Sequence, residues 1–436
     1  MRIGTIYARA AGVRRKCLAL LGVGLLAGCA WLGGEREAPE VALAPPPPTA
    51  AVTAKAPELP VLPYAEAVAY AADQLFASAK LPPATSPRLL VIDPLVDGAT
   101  GAESATTRSL EERLSAIIRE RHRDYELQPL TTRTLAKSPL VLVGAVKGLG
   151  ADGKEVPTGQ PAPAGWQPAT YKIWLSIVDL TSGTVVAHGM ARTVPEGIDM
   201  TPTAFYRDSP GWLLDGAVVD YLKGCQSPVG APVPKGYVDG IVTAALLGDA
   251  TEAYEAGRFT EALALFQDAR RTPAGDQLRV HNGLYLANWR LGRKAEAEAA
   301  FGGLVDFGLG HDRLALKMLF KPGSTAWWPD RQVSGPYPMW LRQIARGVGE
   351  SGRCVQVVGH SSASGPAALN ERLSLARAAA VKGRLVARAD ALEPKLTVAG
   401  VGSAETVIGT GRDDASDALD RRVEFKPYAC GQVAGL

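Results

Sequence analysis

Apolar and polar residues follow two rhythms along this chain, one of period two and one close to 3.6. At residues 354–360, Val355, Val357 and Gly359 alternate with Gln356, Val358 and His360, which reads as a short, largely buried strand. Small turn formers fill 361–366, and Gly365 is free to take a positive φ. Leu369, Leu373, Ala376, Ala380 and Leu385 then recur at near-helical spacing and predict a helix with one apolar face. Towards the amino end, Ala65, Val68, Ala72, Leu75 and Phe76 fit a helix face, and residues 88–95 read as a buried strand. Residues 104–121 predict a second helix with Leu110, Leu114, Ile117 and Ile118 on one stripe. A strand is expected at 140–146, a hairpin at 171–180 and 184–193 across Thr181-Ser182-Gly183, and a closing helix at 213–222. Helices mixed with strands and a late antiparallel pair point to an α+β or three-layer α/β arrangement.

Residues 244–308 repeat themselves. Gly257 and Gly292, Glu261 and Glu296, Ala262 and Ala297, Phe266 and Phe301 each sit about 35 residues apart. This resembles about two tetratricopeptide units, whose period is ~34 residues. Small residues let the paired helices approach while Phe fills the gap. The resemblance implies either a concave peptide-binding face or a helical spacer, and so short a repeat is expected to lean on a neighbouring domain.

The length of 436 residues suits two or three domains, and 47% apolar residues suffice for sizeable cores. The net charge of +3, with Lys and Arg interspersed among Asp and Glu, argues for no nucleic-acid partner. Arg2, Arg9, Arg14, Arg15 and Lys16 precede an apolar run at 18–27 that is too short to span a bilayer. The run ends in Leu26-Ala27-Gly28-Cys29, which resembles a bacterial lipobox. That resemblance implies a signal peptide at 1–28 and a lipid on Cys29, with two or three acyl chains as a stable anchor. Ala30 favours the outer membrane. Residues 29–62, rich in Pro and Ala, would be an extended tether.

The stretch around Gly359, His360, Gly365, Asn370, Leu373, Ser374, Arg377 and Ala378 resembles the OmpA-like periplasmic domain in register. Gly400-Val401-Gly402 and Asp420-Arg421-Arg422-Val423-Glu424 match its later elements, and 316–324 its first strand. The resemblance covers 312–430 and implies a βαβαββ domain that holds peptidoglycan non-covalently through the diaminopimelate of the stem peptide. Arg377 would bind a ligand carboxylate bidentately, and Ser362, His360, Asn370 and Arg422 complete the expected peptide site. Ser362 departs from the pattern, because the family has an acid there. A hydroxyl offers a neutral hydrogen bond roughly half as strong as a charge-assisted one. Either the domain still binds wall peptide, with Asp413 or Asp414 supplying the charge, or it keeps the fold without that ligand. His360 is expected to orient the turn by hydrogen bonds, and Arg422 to pair with Glu371 or Glu424 on the surface.

If the strand at 354 runs antiparallel to that at 423–426, Cys354 meets Cys430 in a disulfide closing a loop of about 75 residues, and Cys225 is left buried and free. Residues 63–226 more weakly resemble the nucleotide-free α/β domains of envelope lipoproteins such as LpoB, FlgO, CsgG and the amino-terminal domain of TolB, through Asp97-Gly98-Ala99-Thr100-Gly101 and the hairpin. The helical repeats would occupy 237–310. Gly148 to Gly153 matches G-x-G-x-x-G, but the prolines at 157, 161, 163 and 168 leave no helix for a phosphate, so a loop between strands is expected and no cofactor. The five histidines show no metal-ligand spacing, and Ser361 lacks the nucleophile-elbow pattern. The expectation is a lipid-anchored, non-enzymatic bridge from the outer membrane to the wall. The alternative is an envelope assembly scaffold that recruits protein partners.

Overall fold

In the computed structural model, which describes residues 59–158, 160, 163, 166–408 and 419–432, the chain first builds three layers. The elements in order are β1 (Val61–Leu62), α1 (Tyr64–Ala77), β2 (Arg88–Ile92), β3 (Val96–Asp97), α2 (Ala105–Arg121), β4 (Tyr125–Leu127) and α3 (Thr132–Leu135). Three long strands follow, β5 (Leu140–Leu149), β6 (Thr170–Asp179) and β7 (Thr184–Thr193). They pair in the order β1-β7-β6-β5-β2-β4, with β3 beside β5. β6 runs antiparallel to both β5 and β7, whereas β2 runs parallel to β4 and β5. Leu75, Leu110, Leu114 and Ile118 from α1 and α2 seal one face of the sheet. Ser104 starts α2 through a capping box, in which its side chain accepts from the Thr107 amide and the Thr107 hydroxyl accepts from the Ser104 amide. The Gly-rich stretch after β5 forms a connection between strands, as its prolines demand.

Next come α4 (Ala204–Asp208), β8 (Gly211–Trp212), α5 (Gly216–Gln226) and α6 (Lys235–Glu255). Helix α5 begins later than the periodicity suggests because Asp215 caps it, accepting from the Val218 amide at 3.1 Å. Val218 and Tyr221 of α5 and Tyr237 and Ile241 of α6 cover the other sheet face. The repeat is realised as two helical hairpins, α6 with α7 (Phe259–Arg271) and α8 (Leu278–Arg290) with α9 (Lys294–Gly310). Both turns are built alike. Gly257 and Gly292 sit at φ +76° and +72°, and the amides of Arg258 and Arg293 return to Ala253 and Asn288. Phe266 and Phe301 are fully buried, and a Cβ on Gly283 would lie 2.3 Å from the Phe266 ring.

The last part comprises β9 (Leu314–Leu316), α10 (Arg331–Ser334), α11 (Tyr337–Glu350), β10 (Cys354–Gly359), α12 (Ala367–Val386), a 3-10 turn (Asp390–Lys395), β11 (Leu396–Gly400) and β12 (Val423–Tyr428). Apart from the short α10, this is the expected βαβαββ order, and the whole is a mixed α/β and α+β fold. The second sheet runs β11-β10-β12-β9-β8. Its first strand departs from the expected 316–324. The strand ends at Leu316, and the Pro322-Gly323 turn, with Gly323 at φ +61°, folds the chain back so that Phe320 bridges to Trp327. β8 pairs antiparallel with β9, so a segment lying before the helical repeat completes the second sheet. One core joins Tyr254, Phe266 and Phe301 of the repeat to Val357 and Phe425 of the second sheet, and α6 also serves the first. Among the described residues no helix is long and apolar enough to cross a membrane. Cys29 lies outside the described residues.

Candidate functional site

Helix α12 lies directly on two glycines. A Cβ on Gly359 would sit 2.1 Å from the Ser374 carbonyl, and one on Gly400 would sit 2.3 Å from the Leu375 amide. So close an approach leaves no room for large apolar side chains between helix and sheet. The buried face is therefore Asn370, Ser374, Arg377, Ala378, Val381 and Leu385. This corrects the expected face. Leu369 is 50% and Leu375 44% exposed, and of the predicted stripe Leu385 alone is buried. Ser374 is small enough to dock, and its hydroxyl donates to the Glu371 carbonyl and accepts from the Gly402 amide, at 2.8 and 2.9 Å.

The turn before α12 is pinned from three sides. The His360 amide donates to the Arg422 carbonyl at 3.0 Å, and the Ser361 amide to Gly402 at 2.8 Å. Asn370 donates through Nδ2 to the carbonyls of Ser364 (2.9 Å) and Ser362 (3.3 Å). Ser362 is buried, with its Oγ 3.2 Å from that of Ser364. Arg377, two turns along the same helix face from Asn370, is 8% exposed. Its Nε donates to the Ser324 carbonyl at 3.2 Å and its Nη2 to Lys321 at 3.3 Å, with the guanidinium 5.0 Å from the Phe320 ring. Arg384 repeats the contact one step on, donating to Thr325 at 3.0 Å and lying over Trp327. Residues 320–327 thus cover the arginine face of α12. Asp413 and Asp414 lie outside the described residues.

Arg422 does not reach Ser362 through any described contact. It pairs with Glu424, one of the two partners expected, but inside a buried ion cluster rather than on the surface. Its Nε donates to Glu424 at 2.6 Å, and Arg313 grips the same carboxylate through Nη2 and Nε at 2.6 and 3.1 Å. The Arg422 and Glu424 side chains are 1% and 0% exposed. Burial alone would raise the Glu424 pKa, but the two guanidiniums outweigh it and hold the carboxyl well below its usual range. Arg313 comes from just before β9 and Glu405 from the loop after β11, partners that no local pattern announces.

His360 differs from expectation. Among the described residues its ring nitrogens make no hydrogen bond, and it is the backbone amide of His360 that ties the turn to Arg422. Nδ1 lies 3.9 Å from Glu405 and Nε2 3.7 Å from Glu424, a grouping within 4.8 Å that spacing did not foretell. A divalent cation there would face Arg313, Arg422 and Lys426, all already engaged by these two carboxylates. Burial first, and then Arg422, push the His360 pKa well below 6.5. An unfolded histidine takes up a proton near that pH and the folded one cannot. The contribution of neutral His360 is therefore complete above pH ~6.5 and is lost as pH falls, by at most about 1.4 kcal/mol per pH unit. Asp93 and Glu103, raised by burial to about 6 and about 7, act oppositely and cost stability as pH rises. The difference between wild type and His360→Phe isolates the histidine. Urea unfolding at pH 7, 6 and 5 should show wild type losing ground to the variant on acidification; a constant difference counts against the neutral ring.

Cys354 pairs opposite Tyr428 across the antiparallel strands, and its sulfur is bonded to that of Cys430 as expected, across a sequence separation of 76. Cys225 is buried and free.

No protein-family model matches the chain, and no curated protein sequence does. Solved structures similar to part of it include the peptidoglycan-associated lipoprotein from Burkholderia pseudomallei, at 22% identity over 26% of this chain and 88% of that one, with a TM-score of 0.21. The cell wall anchor of the T6SS from Pseudomonas aeruginosa is similar at 28% identity over 27% and 80%, TM-score 0.22. The OmpA-like domain of FopA1 from Francisella tularensis is similar at 20% identity over 27% and 75%, TM-score 0.20.

Proposed function

We propose that this protein is an envelope lipoprotein that grips peptidoglycan through the turn and helix at residues 360–377, with a lipid on Cys29 holding it to the outer membrane. The observation that supports this best is the placing of the motif: Asn370 fixes the turn that carries Ser362, and Arg377 extends the same face of α12. A stem-peptide carboxylate reaching Arg377 would compete, among its partners, with the carbonyls of Lys321 and Ser324. A carboxylate is a stronger acceptor for a guanidinium than a carbonyl, so the ligand would draw Arg377 away from residues 320–327. Ser362 would accept from the diaminopimelate ammonium without a charge of its own, which makes the grip weaker than an acid would give. The α/β part and the helical hairpins would then stand between membrane and wall. Cosedimentation with purified sacculi tests this. Wild type should pellet, Arg377→Ala should lose at least tenfold in affinity, and Ser362→Asp should gain.

A scaffold that recruits envelope proteins and has lost the wall ligand is favoured by one observation, the cover that residues 320–327 already place over Arg377. It requires that wild type stay in the supernatant while its helical and α/β parts capture specific envelope proteins.

A further inference from the structure

Between the end of the first sheet and the ion cluster of the second lies a cavity of about 230 Å³. Its apolar walls are Trp166, Tyr171, Met200, Trp212, Leu214 and Val407. Trp212 is a fixed wall, because its indole donates to the Thr100 carbonyl at 3.1 Å. The space suits a single ring or short chain rather than a large ligand.

Four cations line this cavity, Lys147, Arg313, Arg422 and Lys426. Glu424 and Glu405 engage the last three, which leaves Lys147 as the cation turned to the cavity. Asp97 is spent on its own turn, accepting from the Ala99 amide and the Thr100 hydroxyl. Lys147 is the anomaly. It lies on β5 directly opposite Lys172 of β6, a like-charge cross-strand pair that destabilises a sheet unless an anion intervenes. Glu155 serves both ammonium groups, at 3.9 and 3.4 Å. The Lys147 side chain is 4% exposed, and its ammonium, with three donors, makes one hydrogen bond among the described residues, to Thr158 at 3.0 Å. Burial also depresses its pKa. A buried ammonium with donors to spare beside two tryptophans is a poor way to fill a core and a good way to receive an anion. Lys147 and Arg313 also line the adjoining cavity of about 540 Å³, so the site opens towards α5.

We propose that this cleft binds a small amphipathic organic anion, an aliphatic or aromatic carboxylate whose apolar body lies against Trp166, Trp212 and Met200 and whose carboxylate meets Lys147. The site does not include Arg377 or the segment that covers it. A ligand there would touch both sheets and so would tie them together.

Octanoate and its neutral counterpart octanamide are suitable probes, read by intrinsic tryptophan fluorescence. Octanoate should give a saturable change, and octanamide should bind at least tenfold more weakly. Lys147→Met should abolish that preference, while Lys147→Arg, which keeps the charge, should retain it and controls for folding. Lys426→Met should weaken octanoate severalfold without altering octanamide. Absence of a saturable response to octanoate, equal affinity for the two probes, or an undiminished preference in Lys147→Met would each overturn the proposal.

Discussion

Glu424→Ala should lower the free energy of unfolding by about 3–5 kcal/mol, the cost of stripping one partner from a buried ion pair. The carboxylate is the shared acceptor of Arg422 and Arg313, and the Arg422 side chain is 1% exposed, so water cannot replace it. Glu424→Gln, which keeps one acceptor oxygen for the guanidiniums but no charge, should cost less. Replacing Glu424 and Arg422 together with leucine should recover much of the loss, because an apolar pair of similar volume needs no desolvation. Urea unfolding at neutral pH measures all three. A single-variant loss under about 1 kcal/mol would mean that the pair behaves as an exposed one.

The second large effect belongs to the Cys354–Cys430 bond. Cys354→Ser with Cys430→Ser should cost about 4 kcal/mol, since the link closes a long loop whose unfolded entropy it removes. Reductant should bring wild type to the stability of the double variant and leave the variant unchanged. Alkylation of the denatured, unreduced protein should label Cys225 and spare Cys354 and Cys430. A wild-type protein indifferent to reductant would show that the bond does not constrain the unfolded chain.

The strand, turn and helix at 354–386 were legible because their rhythm is local, and the disulfide followed once the strands at 354 and 423 were taken as antiparallel. The paired turns of the repeat were legible too, since Gly257 and Gly292 answer one geometric need. The face of α12 was not. Periodicity ranks residues by apolarity and so chose Leu369 and Leu373, whereas contact with Gly359 and Gly400 reserves the interface for Ser374 and Asn370. Partners far apart in the chain were equally hidden. Arg313 finds Glu424 from 111 residues away, and β8 joins a sheet begun after the helical repeat. Nothing in the spacing of His360 announces the two carboxylates around it, or that its ring would find no hydrogen-bond partner among the described residues.

Wall binding is tested most directly by titrating the isotope-labelled protein with a muropeptide carrying a diaminopimelate stem while following its amide and arginine side-chain resonances. Saturable shifts confined to residues 360–364, Asn370, the Arg377 Nε and the covering segment 320–327 are expected. An unchanged spectrum at millimolar muropeptide, or shifts that leave Arg377 and its cover untouched, would contradict a grip on the wall at this site.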